Sequence, residues 1–420
     1  MQTLQNAGHA AYLVGGCVRD MLLGHEPKDF DVTTDASPEQ VKELFRSSRL
    51  IGRRFRLVHV RFGRDIIEVA TFRGQHAGDA EGGVIEDGLI LRDNVFGTIE
   101  EDAWRRDFSV NALFYDSQDD SVIDYVGGYA DLKNGLLRIL GEPEVRYRED
   151  PVRMLRAARF AAKLGFIIHA ESEQVIAELA PLLRDVSPSR LFEEVLKLFQ
   201  TGLAVHTFEL MRHYNLFAQL FPETDQCLSI EVSGYPLRLL VKALTNTDER
   251  ISLGKPVTPA FLFAAILWEP LRSAAKLLRA EGMGEAQSIQ VAARTVLAQQ
   301  SQSVILPKRF SLRARDVWSM QPRLERNSGK RALLLLQHPS FRAAYDFLLL
   351  RAESGEELGD LPDWWTKIQT LDEDERPTML RASGDKPKRR RRRARRKKPA
   401  KQTDAQSGNQ VGSQEGHGDS

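Results

Sequence analysis

The sequence predicts an α/β head followed by an all-helical remainder and a disordered basic tail. Three observations carry this reading. Up to about Leu140, short apolar runs alternate with helical patterns. From Asp150 onward, apolar residues recur at helical spacing and no strand pattern interrupts them. Beyond about Glu373 the chain lacks aromatics, is highly charged and then turns rich in Gly, Ser and Gln, a composition that buries too little apolar surface to fold. The expected division is a head over 1–140, a helical neck over 141–235, a helical body over 236–372 and a tail over 373–420.

The elements follow in order. Ala11–Val14 and Phe30–Thr33 read as strands, with a short helix over Val18–Leu23 between them. Ser37-Pro38-Glu39-Gln40 opens a helix, with Ser37 as cap, Pro38 in the first turn and Gln40 closing a capping box. Leu57–Phe62 and Ile66–Thr71 read as a hairpin around Gly63-Arg64-Asp65. Gly74–Gly88 is rich in glycine and acid and reads as a mobile loop. Asp150-Pro151 and Ser187-Pro188 each start a helix. Further helices are expected at Pro259–Leu278, Ala286–Gln299, Leu312–Met320 and Arg331–Ala352.

Composition narrows the class. The chain has 420 residues, 42 % of them hydrophobic and 28 % charged, as suits soluble domains with real cores. Its longest apolar run, Ala260–Trp268, is too short for a bilayer, which needs ~20 residues. No N-terminal pattern suggests a signal peptide. Cys17 and Cys227 are the only cysteines, which argues against a disulfide framework or a cysteine zinc site. A cytoplasmic setting is expected. The net charge of +1 hides an asymmetry, because twelve of the 59 basic residues crowd into Lys386–Lys401 with no acid among them. A basic arm on an acidic body points to a polyanionic partner.

Chemistry concentrates in Leu13–Thr34, LVGGCVRDMLLGHEPKDFDVTT. In an extended chain Asp29 and Asp31 share a face. Paired carboxylates repel unless a cation lies between them, and the hard cation that favours carboxylates and phosphates is Mg²⁺. Gly15 and Gly16 let backbone approach a triphosphate. Glu68 opposes Ile67 and Val69 in an apolar strand, so it either marks a sheet edge or joins the metal ligands. Arg105-Arg106-Asp107 opens RRDFSVNALFYD, where Asn111 at i+4 from Asp107 is expected on the same helical face. In RYREDPVRMLRAARF, Asp150 either caps a helix with Arg153 as its i+3 partner or serves a ligand, and Arg156 and Arg159 extend a basic face.

Together these blocks resemble the class II nucleotidyltransferases, the family of bacterial poly(A) polymerases and CCA-adding enzymes. The likeness runs from Tyr12 to about Phe199. It implies a polymerase-β-like head in which Asp29, Asp31 and Glu68 hold two Mg²⁺ ions and Asp107 is essential, on the sugar hydroxyl or in the metal network. It also makes Gly15, Gly16 and Arg19 triphosphate contacts, and has Arg105, Arg106 and Asn111 bind the nucleotide's sugar and phosphates. Glu149, Asp150 and Arg153 match the family's E-D-x-x-R base reader. Asp124–Gly128 with Asp131-Leu132 resembles its flexible head–neck loop.

Leu50–Val60, LIGRRFRLVHV, resembles the signature of the poly(A) branch, and the basic arm agrees with a sequence-independent grip on RNA. The resemblance therefore implies transfer of AMP from ATP to RNA 3′ ends of mRNA, regulatory RNA and tRNA precursors. RNA-decay proteins are candidate partners, a monomer is favoured, and peripheral membrane contact is left open. The alternatives are a CCA-adding tRNA nucleotidyltransferase and a catalytically idle RNA-binding scaffold. Phe310–Arg315 and Gly329-Lys330-Arg331 read as an RNA track or as solvated helix ends. Trp364 and Trp365 read as base-stacking or helix-packing residues.

Overall fold

The computed structural model describes residues 1–52, 56–74, 83–86, 89–93, 95–229, 235–326, 330–372 and 374–376. The head opens with α1 (Gln2–Asn6), β1 (Ala11–Val14), α2 (Gly16–Leu22), β2 (Asp31–Thr34) and α3 (Pro38–Leu44). Then come β3 (Ser48–Ile51), β4 (Leu57–Phe62), β5 (Asp65–Thr71), β6 (Gly83–Glu86) and β7 (Leu89–Asp93). It closes with α4 (Ile99–Arg105), β8 (Leu113–Asp116), β9 (Ser121–Asp124) and α5 (Gly128–Lys133). One sheet carries the strands in the order β3-β4-β5-β2-β1-β8-β9. Within it β2 and β5 run parallel, and every other pair runs antiparallel.

Alternation along β1 explains why the sheet has two covered faces. Ala11 and Leu13 pack with Leu4, Val32, Val41, Val58 and Val69. Tyr12 and Val14 turn the other way, toward Ala103, Ala112, Phe114 and Leu140. The capping box of α3 forms as the sequence predicts, with the Ser37 N–H donating to Gln40 Oε1 at 2.8 Å and the Gln40 N–H to Ser37 Oγ at 3.3 Å. The β4–β5 hairpin also forms around Gly63.

Several elements differ from expectation. β2 starts at Asp31, so Asp29 precedes the strand. Residues 83–86, expected in a mobile loop, form β6 and pair antiparallel with β7. The base of that hairpin is closed by a glycine crossing. The Gly74 N–H donates to Val95 O at 2.9 Å and the Gly97 N–H to Phe72 O at 3.0 Å, beside a bridge between Arg73 and Phe96. Residues 124–128 are not a loose loop either. The Asp124 carboxylate accepts the backbone N–H groups of Val126, Gly127, Gly128 and Tyr129 and so fixes the entry to α5.

After the head come β10 (Leu136–Leu137), α6 (Pro143–Glu149), α7 (Val152–Leu164) and β11 (Ile167–Ile168). β10 and β11 form a short parallel pair, so one strand, β11, lies inside the region expected to be purely helical. A long core runs from Phe108 and Leu113 through Tyr147 and Leu155 to Trp318, and a second cluster surrounds Trp365.

The helix expected over Pro259–Leu278 is two, Pro259–Ile266 and Trp268–Ala280. Pro270 has no N–H to give Ile266 O, and the Thr224 hydroxyl supplies that bond at 3.0 Å. Arg331–Ala352 likewise divides into Lys330–Leu336 and Phe341–Glu353 around Pro339. Trp365 is fully buried and donates its indole N–H to Leu324 O, and Trp364 packs edge-on against it, so both serve packing. Arg53, Arg54, Gly329, the Lys330 side chain and the basic arm lie outside the described residues.

A Cβ at Gly97 would overlap the Gly74 backbone, which cannot swing aside as a side chain could. Gly97→Ala is therefore expected to lower the thermal midpoint, with overpacking costing ~1–3 kcal/mol. A midpoint equal to that of the parent chain would remove the crossing as a constraint.

Candidate active site

The parallel register of β2 and β5 makes Asp31 and Glu68 direct partners. Both line a cavity of about 250 Å³ whose other polar walls are Arg73, Asp102, Arg105 and Arg106. Burial pushes the Asp31 carboxyl up, and the Glu68 and Asp29 charges add to the rise, while Arg106 opposes it. Glu68 Oε1 lies 3.1 Å from His59 Nε2. Among the described residues, no three carboxylate, imidazole or thiol groups converge as a ready metal cage. The expected set of Asp29, Asp31 and Glu68 is therefore not drawn together as a three-ligand group, although Asp31 feels the charge of both others. The crowded acids fit a cation chemically.

The turn before α2 demands glycine. Gly15 sits at φ +80°, ψ −132°, a region closed to other residues, and its N–H donates to Leu113 O at 3.2 Å. A Cβ there would stand 3.4 Å from Arg106 Nη1. Gly16 starts α2, and its nearest side-chain neighbour is Arg19 Nη2.

Arg19, expected as a triphosphate contact, already has partners within the protein. It is only 2 % exposed. Nη1 donates to Asn111 Oδ1 at 2.6 Å, Nε donates to Asp20 Oδ1 at 2.8 Å, and the guanidinium lies 5.3 Å from the Phe160 ring centre. Its place in a core and its engaged edges make it an anchor of α2.

The second block is not a continuous α-helix. α4 stops at Arg105, and Ser109–Asn111 forms a 3₁₀ turn. The Asp107–Asn111 contact nevertheless forms, with Asn111 Nδ2 donating to Asp107 Oδ1 at 3.1 Å. Arg106 Nη2 donates to Asp102 Oδ2 at 2.8 Å, and Asp102 Oδ1 accepts the Arg73 N–H. Asp107 Oδ1 also accepts the Phe108 N–H, and Oδ2 accepts Arg156 Nε at 2.7 Å. Burial would push this carboxyl up, but Arg156, Asn111 and the Phe108 N–H outweigh burial and hold it at about 2.

The third block also rearranges. Arg153 does not pair with Asp150 through its side chain. Its Nη1 donates to Glu149 Oε2 at 2.8 Å and to Arg146 O at 2.6 Å. Asp150 Oδ2 instead accepts Arg190 Nη2 at 2.7 Å, and Oδ1 meets the Val152 N–H. Arg146 Nη2 reaches back to the carbonyls of Arg105 and Arg106. Arg159 lies 4.3 Å from the Phe160 ring centre, and burial together with Arg156 pushes it down to about 10. Arg146 and Arg190 are the site residues that motif reading missed. Arg146 opens the RYRED run, whereas nothing in the sequence marks Arg190.

The Asp107 carboxyl lies below its ordinary value near 3.8, so its stabilisation is complete above about pH 5 and fades as pH falls toward 2. Asp107→Asn is expected to cost about 2 kcal/mol of unfolding free energy at pH 7. The gap from the parent chain should narrow between pH 5 and pH 2 in denaturant melts. A gap independent of pH would show that the charge is not what stabilises.

Comparison with known proteins agrees with this geometry. The family description "Poly A polymerase head domain" matches residues 11–138, "Probable RNA and SrmB- binding site of polymerase A" matches 165–228, and "Polymerase A arginine-rich C-terminus" matches 281–398. Poly(A) polymerase I of Escherichia coli O6:H1 is 50 % identical over 399 residues, 93 % of this chain and 86 % of that protein. The CCA-adding enzyme of Lactobacillus helveticus is 35 % identical over 263 residues, 59 % of this chain and 63 % of that protein. The crystal structure of the Bacillus stearothermophilus CCA-adding enzyme in complex with CTP aligns at a TM-score of 0.58 and 26 % identity, covering 87 % of this chain and 79 % of that one. Half the residues shared over nearly the whole length, and a sheet that pairs Asp31 with Glu68 behind a glycine turn, make this chain a member of the poly(A) polymerase I family of class II nucleotidyltransferases.

Proposed function

We propose that the chain is a template-independent poly(A) polymerase that transfers AMP from ATP to RNA 3′ ends and releases pyrophosphate. The observation that carries the reaction is the Asp31–Glu68 register at the mouth of a cavity walled by Arg105 and Arg106. Asp29 and Asp31, with Glu68 beside them, would hold two Mg²⁺ ions, which when bound activate the attacking hydroxyl and offset charge on the leaving oxygen. Arg105 and Arg106 present guanidinium forks toward phosphate oxygens. The glycine turn lets α2 and its backbone approach the triphosphate. Asp107 and Asn111 act from behind, locking the 3₁₀ turn that follows these arginines.

Choice of nucleotide falls to Asp150 and Arg153. Arg153 is pinned by Glu149 and the Arg146 carbonyl, and Asp150 by Arg190, so donor and acceptor keep one orientation. A fixed donor–acceptor pair selects a base without a nucleic acid template. Higher identity to the poly(A) relative than to the CCA-adding one, over more of the chain, supports adenylate addition. The RNA substrates would be 3′ ends of mRNA, regulatory RNA and tRNA precursors, with RNA-decay proteins as partners, in the cytoplasm. Among the described residues no helix is long and apolar enough to cross a membrane.

Product sequencing with each nucleotide offered singly, on an RNA lacking CCA, tests the reading. Long A-only products are expected, and C-C-A added to tRNA alone would overturn it. Asp31→Asn should lower AMP incorporation by on the order of 10²–10³-fold or more, as expected for lost charge stabilisation at the reacting centre, with RNA affinity and circular dichroism retained. Arg153→Ala should shrink the ratio of kcat/KM for ATP over CTP by roughly tenfold or more. An unchanged ratio would remove Arg153 from base selection.

A further inference from the structure

The helical part carries a local excess of positive charge that the catalytic reading leaves unused. Arg294 on the helix Glu285–Gln300, and Lys308, Arg313 and Arg315 on the helix Lys308–Leu324, have no carboxylate partner among the described residues. Arg309 only lies over the Phe310 ring. Arg326 and Arg342, by contrast, are paired with Glu285 and Asp346.

Arg294 and Arg315 both line a cavity of about 280 Å³ beside these two helices, with Leu297, Val304 and Leu306 as apolar lining. Its serines are spent as donors, since Ser301 Oγ donates to Ala298 O and Ser311 Oγ to Lys308 O. Gln300 Nε2 donates to Leu220 O. The charged donors facing a ligand are the two guanidinium groups, which favour an acceptor and preferably an anion.

The surroundings extend the site beyond one small anion. Lys308, Leu312 and Arg315 stand at i, i+4 and i+7 on one helix face. Leu312 is 55 % exposed, and Ile305 is exposed in the preceding loop. Cations alternating with apolar patches match a strand in which phosphates alternate with sugars and bases. The cavity also adjoins the base-reading corner. The Ile305 N–H donates to Pro188 O at 3.2 Å, and Pro188 opens the helix that carries Arg190 to Asp150. Phe310 packs against Phe192 of that helix.

We propose that this cavity and the row beside it bind the sugar–phosphate backbone of the RNA strand upstream of the 3′ end being extended. The identity of the ligand rests on the polymerase reading. The test uses the full chain and labelled single-stranded oligoadenylate, titrated over a salt series. Arg294→Gln combined with Arg315→Gln removes two phosphate contacts. The slope of log Kobs against log salt should become shallower by about 1.4, at about 0.7 per contact, with affinity at ~0.1 M salt falling on the order of tenfold.

Arg294→Lys with Arg315→Lys should keep the parent slope, because an ammonium still meets a phosphate. Arg326→Gln with Arg342→Gln removes two exposed charges elsewhere and should leave the slope as it was. A parental slope in the Arg294/Arg315 glutamine pair, or an equal fall in both glutamine pairs, overturns the proposal. AMP incorporation by the unsubstituted chain is measured separately, so failure of the polymerase reading is distinguishable from failure of this site.

Discussion

Asp107 takes hydrogen bonds from the Phe108 N–H, from Asn111 and from Arg156, and through them it ties together the three segments that frame the site. Arg156 belongs to α7, Asn111 ends the 3₁₀ turn after α4, and Asn111 passes the connection on to Arg19 of α2. A carboxylate that is only 13 % exposed is tolerated because each oxygen is satisfied and one partner is charged. Removing Arg156 alone would leave the Asp107 charge without its charged partner, so this contact ties the head to α7.

Around that anchor the site holds more cation than anion. Arg19, Arg156 and Arg159 all lie within 5.3 Å of the Phe160 ring centre. Burial pushes Arg146 and Arg159 down to about 10. Keeping guanidinium groups desolvated and close to one another is unfavourable, and a polyanionic substrate entering this region would relieve it. At the β2–β5 mouth the sign is opposite, with Asp31 raised by burial and by Glu68 and Asp29. An acidic patch thus lies beside a basic wall, and the proposed metal-bound triphosphate would satisfy both.

What the sequence disclosed depended on how local the cause was. The glycine turn, the Ser37–Gln40 box and the β4–β5 hairpin involve neighbours in the chain, and each formed as expected. The division at Leu267 is also written locally, in Pro270, but the Thr224 hydroxyl that completes it comes from 42 residues away. Arg190 was invisible for the same reason, since its bond to Asp150 spans 40 residues and belongs to no motif. Arg153 illustrates competition between neighbours: i+3 spacing offered Asp150, yet Glu149 at i+4 holds the guanidinium, because Asp150 leaves the helix with extended backbone. The carboxylates of β2 and β5 could be nominated from sequence, but only the parallel register brought Asp31 beside Glu68.

That division has a mechanistic consequence. The proposed reacting centre is fixed by backbone pairing between two strands, which leaves little freedom to adjust it. The proposed base reader is fixed by side chains, Arg190 from one helix and Glu149 from another. The two are joined through Arg146, whose guanidinium binds the carbonyls of Arg105 and Arg106 while its own carbonyl receives Arg153. A change in the packing of the helix carrying Arg190 would therefore reorient Asp150 without disturbing the β2–β5 register. In such an architecture the proposed base reader can be reset while the proposed reacting centre stays in place, because the first is held by long-range side-chain bonds and the second by a strand pair.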